Sequence, residues 1–91
     1  MAQETSGPQH QLQILVFGPQ AQTVGASSVD LENVTLPTTA SKVLRLLAEQ
    51  HSELQTSIKI SRLAVNQKFA SDDTEIQADD EVALIGLISG G

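Results

Sequence analysis

The sequence predicts an α+β fold in which one main helix packs on a small mixed sheet. Three observations carry this reading. Ala40, Val43, Leu44, Leu47 and Ala48 recur at the spacing of one apolar helix face, over about three turns. Apolar runs of strand length stand near the two ends, at Leu12–Phe17 and at Val82–Ile85. Between them, Ser28–Leu36 and Arg62–Val65 carry further strand patterns, bounded by Gly, Pro, Asn and Asp.

Taken in order, residues 1–11 are polar, contain Gly7-Pro8, and are expected to form a disordered leader. Order is expected from Leu12. Leu12–Phe17 begins with alternation and becomes continuously apolar, the pattern of a strand buried on both faces, until Gly18-Pro19 stops it. Gln20–Val24 can form one helical turn before Gly25. In Ser28–Leu36 the apolar phase slips by one between Leu31 and Val34, which predicts a bulge near Glu32-Asn33. Pro37-Thr38-Thr39 reads as a helix entry with a threonine cap, and the helix is expected to end near His51.

Ser52–Ile60 reads as an irregular connection anchored by Leu54, Ile58 and Ile60. Asn66-Gln67 fits the two-residue turn of a hairpin from Arg62–Val65 into Lys68–Ala70, because Asn tolerates the positive φ of such turns. Ser71–Asp80 is an acidic loop interrupted by Ile76, and Glu81–Ile85 forms the last strand. That strand is apolar enough to be central. Placed parallel to the first, it would make a β-grasp domain over residues 12–85 with an extended tail at 86–91; composition and periodicity do not show strand order.

Composition narrows the function classes. Eleven acidic against five basic residues give a net charge of −6, which disfavours nucleic acid and anionic membranes as partners. No run reaches the length of a membrane span, and no secretory signal stands at the N-terminus, so a cytoplasmic protein is expected. The absence of cysteine removes disulfides, a thiol nucleophile and thiolate metal sites. His10 and His51 stand without ligands at metal spacing, so no metal centre is expected. With no nucleophile–base pair, the isolated chain is not expected to be a catalyst.

The tail is the candidate reactive element. Gly90-Gly91 offers no side chains and little steric resistance, which suits an end that threads a narrow site, although it also suits a frayed terminus. Ser89 and Ile88 would thread with it. Val82, Leu84 and Leu87 are candidates for an apolar docking patch beside the tail; alternation leaves open whether Val82 and Leu84 face the core instead. The acids Asp72, Asp73, Glu75, Asp79, Asp80 and Glu81 either steer the protein to a basic partner or form a solvated loop.

Three stretches then point to a family. Ile14-Leu15-Val16-Phe17-Gly18 with Val24-Gly25, Leu63-Ala64-Val65-Asn66-Gln67, and Asp80-Glu81-Val82-Ala83 with Ile88-Ser89-Gly90-Gly91 together resemble the small subunit of molybdopterin synthase. That is a ubiquitin-like β-grasp family of sulfur carriers, related to the carrier of thiamin synthesis.

The resemblance implies a mixed sheet of four to five strands on one main helix. It implies that an E1-like enzyme uses ATP to adenylate the carboxylate of Gly91. A persulfide-type sulfur donor then leaves a thiocarboxylate, a C-terminal 1-thioglycine, and no cofactor is bound permanently. The tail would deliver sulfur to cyclic pyranopterin monophosphate in the large subunit of a heterotetrameric synthase. A carrier for thiamin or another thiolated metabolite, and a ubiquitin-like modifier, are the alternatives. The chain departs from the family pattern at Asp79, where a glycine is usual and a left-handed conformation is expected, and at Gly86-Leu87, where two prolines are usual. Gly86 is expected to loosen the tail.

Overall fold

The computed structural model describes residues 9–87, with the side chain of Gln9 excepted. The C-terminal candidates Ile88, Ser89, Gly90 and Gly91 lie outside the described residues, as do positions 1–8 of the expected leader. Strand β1 (Gln9–Leu15) already starts at Gln9, ahead of the expected boundary at Leu12. It is paired with β2 (Ser28–Thr35) in an antiparallel hairpin. Helix α1 (Gly18–Val24) lies between them, with a proline in its first turn and Gly25 in the left-handed conformation (φ 72°) as its stop.

The bulge falls at the expected place. His10 pairs with Val34 and Leu12 with Leu31, so Glu32 and Asn33 together oppose Gln11. Asn33 takes φ 59° to make the extra residue fit. Its effect is to keep Val29, Leu31 and Val34 all turned to the core. A regular strand would have sent Val34 to solvent.

Strand β3 (Thr38–Thr39) runs directly into helix α2 (Ala40–Gln50). Thr39 Oγ1 accepts from the Lys42 N–H at 3.4 Å, the cap that the sequence suggested. The acidic loop supplies the rest of the cap. Ala40 N donates to Thr74 O at 3.0 Å and Ser41 N to Asp72 O at 3.2 Å, so backbone carbonyls satisfy the first helical N–H groups. At the other end of α2, the Gln50 amide accepts from Glu32 N and donates to Glu32 O, at 2.8 and 3.0 Å. It occupies the free edge of β2 as a neighbouring strand would, which blunts that edge against pairing with another chain. His51 Nε2 donates to Asp30 O at 2.9 Å on the same edge.

The connection after α2 is helical, a 3₁₀ turn at Ser52–Leu54 followed by α3 (Gln55–Ile58). Leu54 is fully buried and Ile58 partly so, but Ile60 is exposed and does not serve as the expected anchor. Strand β4 (Ser61–Val65) turns at Asn66-Gln67 into β5 (Lys68–Phe69). Both turn residues have positive φ, 53° and 71°, as a tight hairpin with the native twist demands. In the acidic loop, β6 (Glu75–Ile76) pairs with β3 and drives the fully buried Ile76 into the core. The chain then enters β7 (Val82–Gly86).

The main sheet has the order β2-β1-β7-β4-β5, with β7 parallel to β1 and antiparallel to β4. The last strand is therefore central, as its apolar run indicated. One core cluster joins Leu12, Ile14, Leu63, Val65, Val82 and Leu84 of the sheet, and Val16 just after β1, to Val43 and Leu47 of α2. Among the described residues no helix is long and apolar enough to cross a membrane.

Two expectations are corrected here. β1 is buried on one face only: Leu12, Ile14 and Val16 point inward while Leu15 is half-buried and Phe17 exposed. Asp79 is not among the positive-φ residues. Its turn is closed by Asp80 N donating to Gln77 O at 3.2 Å, a geometry that needs no left-handed residue at that position.

Candidate functional site

The face of the sheet turned away from α2 carries the features of a docking surface. On β4 and β7, Ala64 pairs with Ala83, and Phe69 of β5 pairs with Ala64. These small side chains leave a hollow of about 380 Å³ with Phe17, Phe69 and Ile85 as walls and Gln67 and Glu81 at the rim. Phe17 and Phe69, the two aromatic residues of the chain, are 54% and 56% exposed. Two exposed aromatic rings beside one hollow form an apolar patch of the kind that marks interaction surfaces. Arg62 lies over the Phe69 ring, 5.1 Å from its centroid, and Nη2 donates to Ala70 O at 3.2 Å. It holds the ring against the sheet.

The apolar strip continues to the tail root, where Ile60 and Leu87 are 55% and 47% exposed. Leu87 thus stands where the sequence suggested, on the accessible surface. Val82 and Leu84 do not. They are 1% and 0% exposed and belong to the core, so the outward partners on the same strand are Ala83 and Ile85. Phe17, Phe69 and Ile60 were missed as surface residues. A signal existed for Phe17: it shares the phase of Gln11 and Gln13, the polar side of β1.

The tail root is also firmer than expected. Gly86 is the last residue of β7 and pairs with Ser61, and the Leu87 N–H donates to Ile60 O at 2.8 Å. A proline at 87 could not make that bond. The strand thus carries the chain in an extended, bonded form up to Leu87, and Gly86 does not loosen it there.

At the opposite end of β7 two of the sequence stretches meet. Asn66 Nδ2 donates to Asp80 Oδ1 and Glu81 N donates to Asn66 Oδ1, each at 2.9 Å, and Asn66 N donates to Glu81 O at 2.7 Å. Asp80 Oδ2 accepts from Gln77 N at 2.8 Å. That backbone bond, and after it the bond from Asn66, hold the Asp80 carboxyl below its ordinary value. Of the acidic loop, Asp80 is therefore a structural residue; Asp72, Asp73, Glu75 and Asp79 are exposed. No group of three or more His, Cys, Asp or Glu side chains at metal-binding geometry occurs among the described residues.

A five-stranded mixed sheet with a parallel central pair, one covering helix and a chain end leaving from the central strand defines a ubiquitin-like β-grasp protein. Within that class the chain belongs to the ThiS family, which it matches over residues 14–91. It is 30% identical over 84 residues to the molybdopterin synthase sulfur carrier subunit of Dictyostelium discoideum, covering 90% of this chain and 98% of that one.

Solved structures agree on the fold. SAMP1 from Haloferax volcanii superposes with a TM-score of 0.74 at 22% identity, covering 90% of this chain and all of the other (100%). In the complex of subunits 1 and 2 of the molybdopterin-converting factor from Helicobacter pylori, the matching chain has a TM-score of 0.60 at 17% identity, with 90% and 100% covered.

Proposed function

We propose that this protein is the sulfur-carrier subunit of a molybdopterin synthase. The observation that carries the reading is the match to the Dictyostelium carrier over 90% of this chain, whose sequence ends in Gly-Gly and whose central strand lies beside an exposed apolar face. A carboxylate is a poor electrophile at neutral pH, so the Gly91 carboxylate needs activation from outside. An E1-like enzyme would transfer the adenylyl group of ATP to it, releasing pyrophosphate and making AMP the leaving group. The terminal sulfur of a persulfide donor then displaces AMP to give an acyl disulfide. Attack of a second thiol on the donor's sulfur forms a disulfide and releases the thiocarboxylate on Gly91, the form that donates sulfur.

The large subunit would receive the loaded tail and hold the pyranopterin substrate. One feature of this chain supports that division of labour: its apolar face, from Phe69 through Ala83 to Phe17, gives a partner a platform. From Leu87 to Gly91 the tail reaches at most about 17 Å, enough to enter a buried site while the body stays outside. Glycine at 90 and 91 keeps it narrow where the channel is tightest. The Helicobacter structure is a protein–protein complex of that organism's subunits 1 and 2, in which the chain similar to this one has a partner.

The test is intact mass spectrometry after coexpression with the adenylating enzyme and a sulfur source. One sulfur-for-oxygen exchange located at Gly91 is expected, followed by its loss when the large subunit and pyranopterin substrate are added. An isopeptide adduct on lysines of other proteins, with no thiocarboxylate, would replace this reading by that of a modifier.

A further inference from the structure

A second hollow, of about 320 Å³, opens where β7 ends, with Phe17, Pro19, Ile60, Ile85 and Gly86 among its apolar walls. Its polar lining comes from Ser57 and from the side chain of Gln20, which is only 5% exposed. Gln20 Nε2 donates to Ser61 Oγ at 2.6 Å, and Ser61 Oγ donates its one hydrogen to Ser57 O at 2.6 Å. Because that hydroxyl proton is committed, Ser61 Oγ must accept from Gln20, which fixes the orientation of the amide. The carbonyl oxygen Oε1 is then left without a donor among the described residues. The whole amide faces Gly86: Nε2, Cδ and Oε1 stand 3.7, 3.9 and 4.0 Å from where a Cβ would stand at that glycine. A buried amide oxygen without a donor is costly, about 1–3 kcal/mol, and such groups are rare in folded proteins.

We propose that this hollow is a binding site for one aromatic side chain carrying an N–H or O–H, a tyrosine or tryptophan, whose hydrogen bond Gln20 Oε1 accepts. The occupant belongs to the protein that receives the tail, a clause that rests on the carrier reading: such a partner closes around the chain where it leaves the body, and the hollow lies there. The chemistry selects among side chains. An aliphatic group would fill the apolar walls and leave Oε1 dehydrated and unpaired. A lysine or arginine would lose its hydration against Phe17 and Ile60 for a single neutral acceptor. An aromatic ring with one donor satisfies both the walls and the oxygen, as Tyr and Trp do at interface centres.

The site can be read without the partner. In ¹H–¹⁵N spectra of the full chain, p-cresol (for tyrosine) and 3-methylindole (for tryptophan) are expected to move the Gln20 side-chain amide and the Gly86 and Ile60 backbone signals. They should bind about fivefold tighter than toluene, the ratio one hydrogen bond supplies. Gln20→Met keeps the apolar volume, removes the acceptor, and should bind toluene and p-cresol alike. Equal binding of toluene and p-cresol by the wild type, or shifts centred on Ala83, overturns the proposal. So does selectivity that survives in Gln20→Met.

Should that variant not fold, the wild-type ratio decides together with Gly86→Ala, which should weaken p-cresol binding; unchanged p-cresol binding in Gly86→Ala overturns the proposal. The added Cβ meets Gln20 at an ordinary 3.7 Å and narrows the hollow. With the large subunit, Gln20→Met should weaken binding about fivefold or more. Unchanged affinity overturns the site and leaves the carrier function standing. A wild type that gains no sulfur and binds no large subunit overturns the carrier reading, while the p-cresol ratio still decides the chemistry of the hollow.

Discussion

Asn66 and Asp80 bind each other across the two turns that flank the β4–β7 pair, with Asn66 Nδ2 donating to Asp80 Oδ1 at 2.9 Å. The same Asn66 side chain accepts from the Glu81 N–H, so one amide joins the hairpin turn to the start of the central strand. Asn66→Ala removes both bonds and puts alanine at φ 53°. A loss of about 1–3 kcal/mol is expected in denaturant unfolding. Asn66→Gly keeps the backbone conformation and should recover part of it, leaving the hydrogen-bond share.

Acid stability reports on the same pair. Asp80 has a folded pKa below its ordinary value, first through the Gln77 N–H and then through Asn66. A carboxyl shifted this way contributes stability above its unfolded pKa, and that contribution is lost as pH falls through the folded value. The wild type should therefore lose Tm on acidification below about pH 4 more steeply than Asp80→Ala. Parallel Tm profiles of the two proteins would show that Asp80 does not contribute this way.

Gln67 occupies φ 71°, a conformation that costs a side chain bearing a Cβ. Gln67→Gly should stabilise the protein by about 0.5–1 kcal/mol, the relief of strain exceeding the added freedom of the unfolded chain. Thermal denaturation measures it directly.

The two faces of the sheet respond to opposite assays. Phe69→Ser and Phe17→Ser change exposed residues and should leave Tm within a few degrees while weakening large-subunit binding about tenfold or more. Leu84→Ala should do the reverse, costing about 2–5 kcal/mol of stability because Leu84 is fully buried. Its effect on binding should follow only from the unfolded fraction.

In the tail, Gly91→Ala and more strongly Gly90→Val should impair adenylation or sulfur transfer in a reconstituted assay. The Tm of both variants should match the wild type. Normal transfer by Gly90→Val would remove the argument from channel width.

Local regularities were legible in the chain: the five-residue apolar face of α2, the Thr39 cap, the bulge at Glu32-Asn33 and the turn at Asn66-Gln67. Each is dictated by neighbours within a few positions, where hydrogen-bond geometry and side-chain period act directly. The apolar run of β7 suited a central strand, but its parallel pairing with β1 is a matter of strand order, which periodicity does not carry. What alternation does not carry is its sign: Val82, Leu84 and Leu87 had the right period for a patch, but only the packing of α2 decided that Val82 and Leu84 face inward. Tertiary contacts likewise decided the Asn66–Asp80 bond, 14 residues apart, and the Gln20–Ser61 bond, 41 apart. The Gly-Gly end could be read from residue type alone. The surface that surrounds its root could not, because Phe17, Ile60, Ile85 and Gln20 come from separate segments that only the folded sheet brings together.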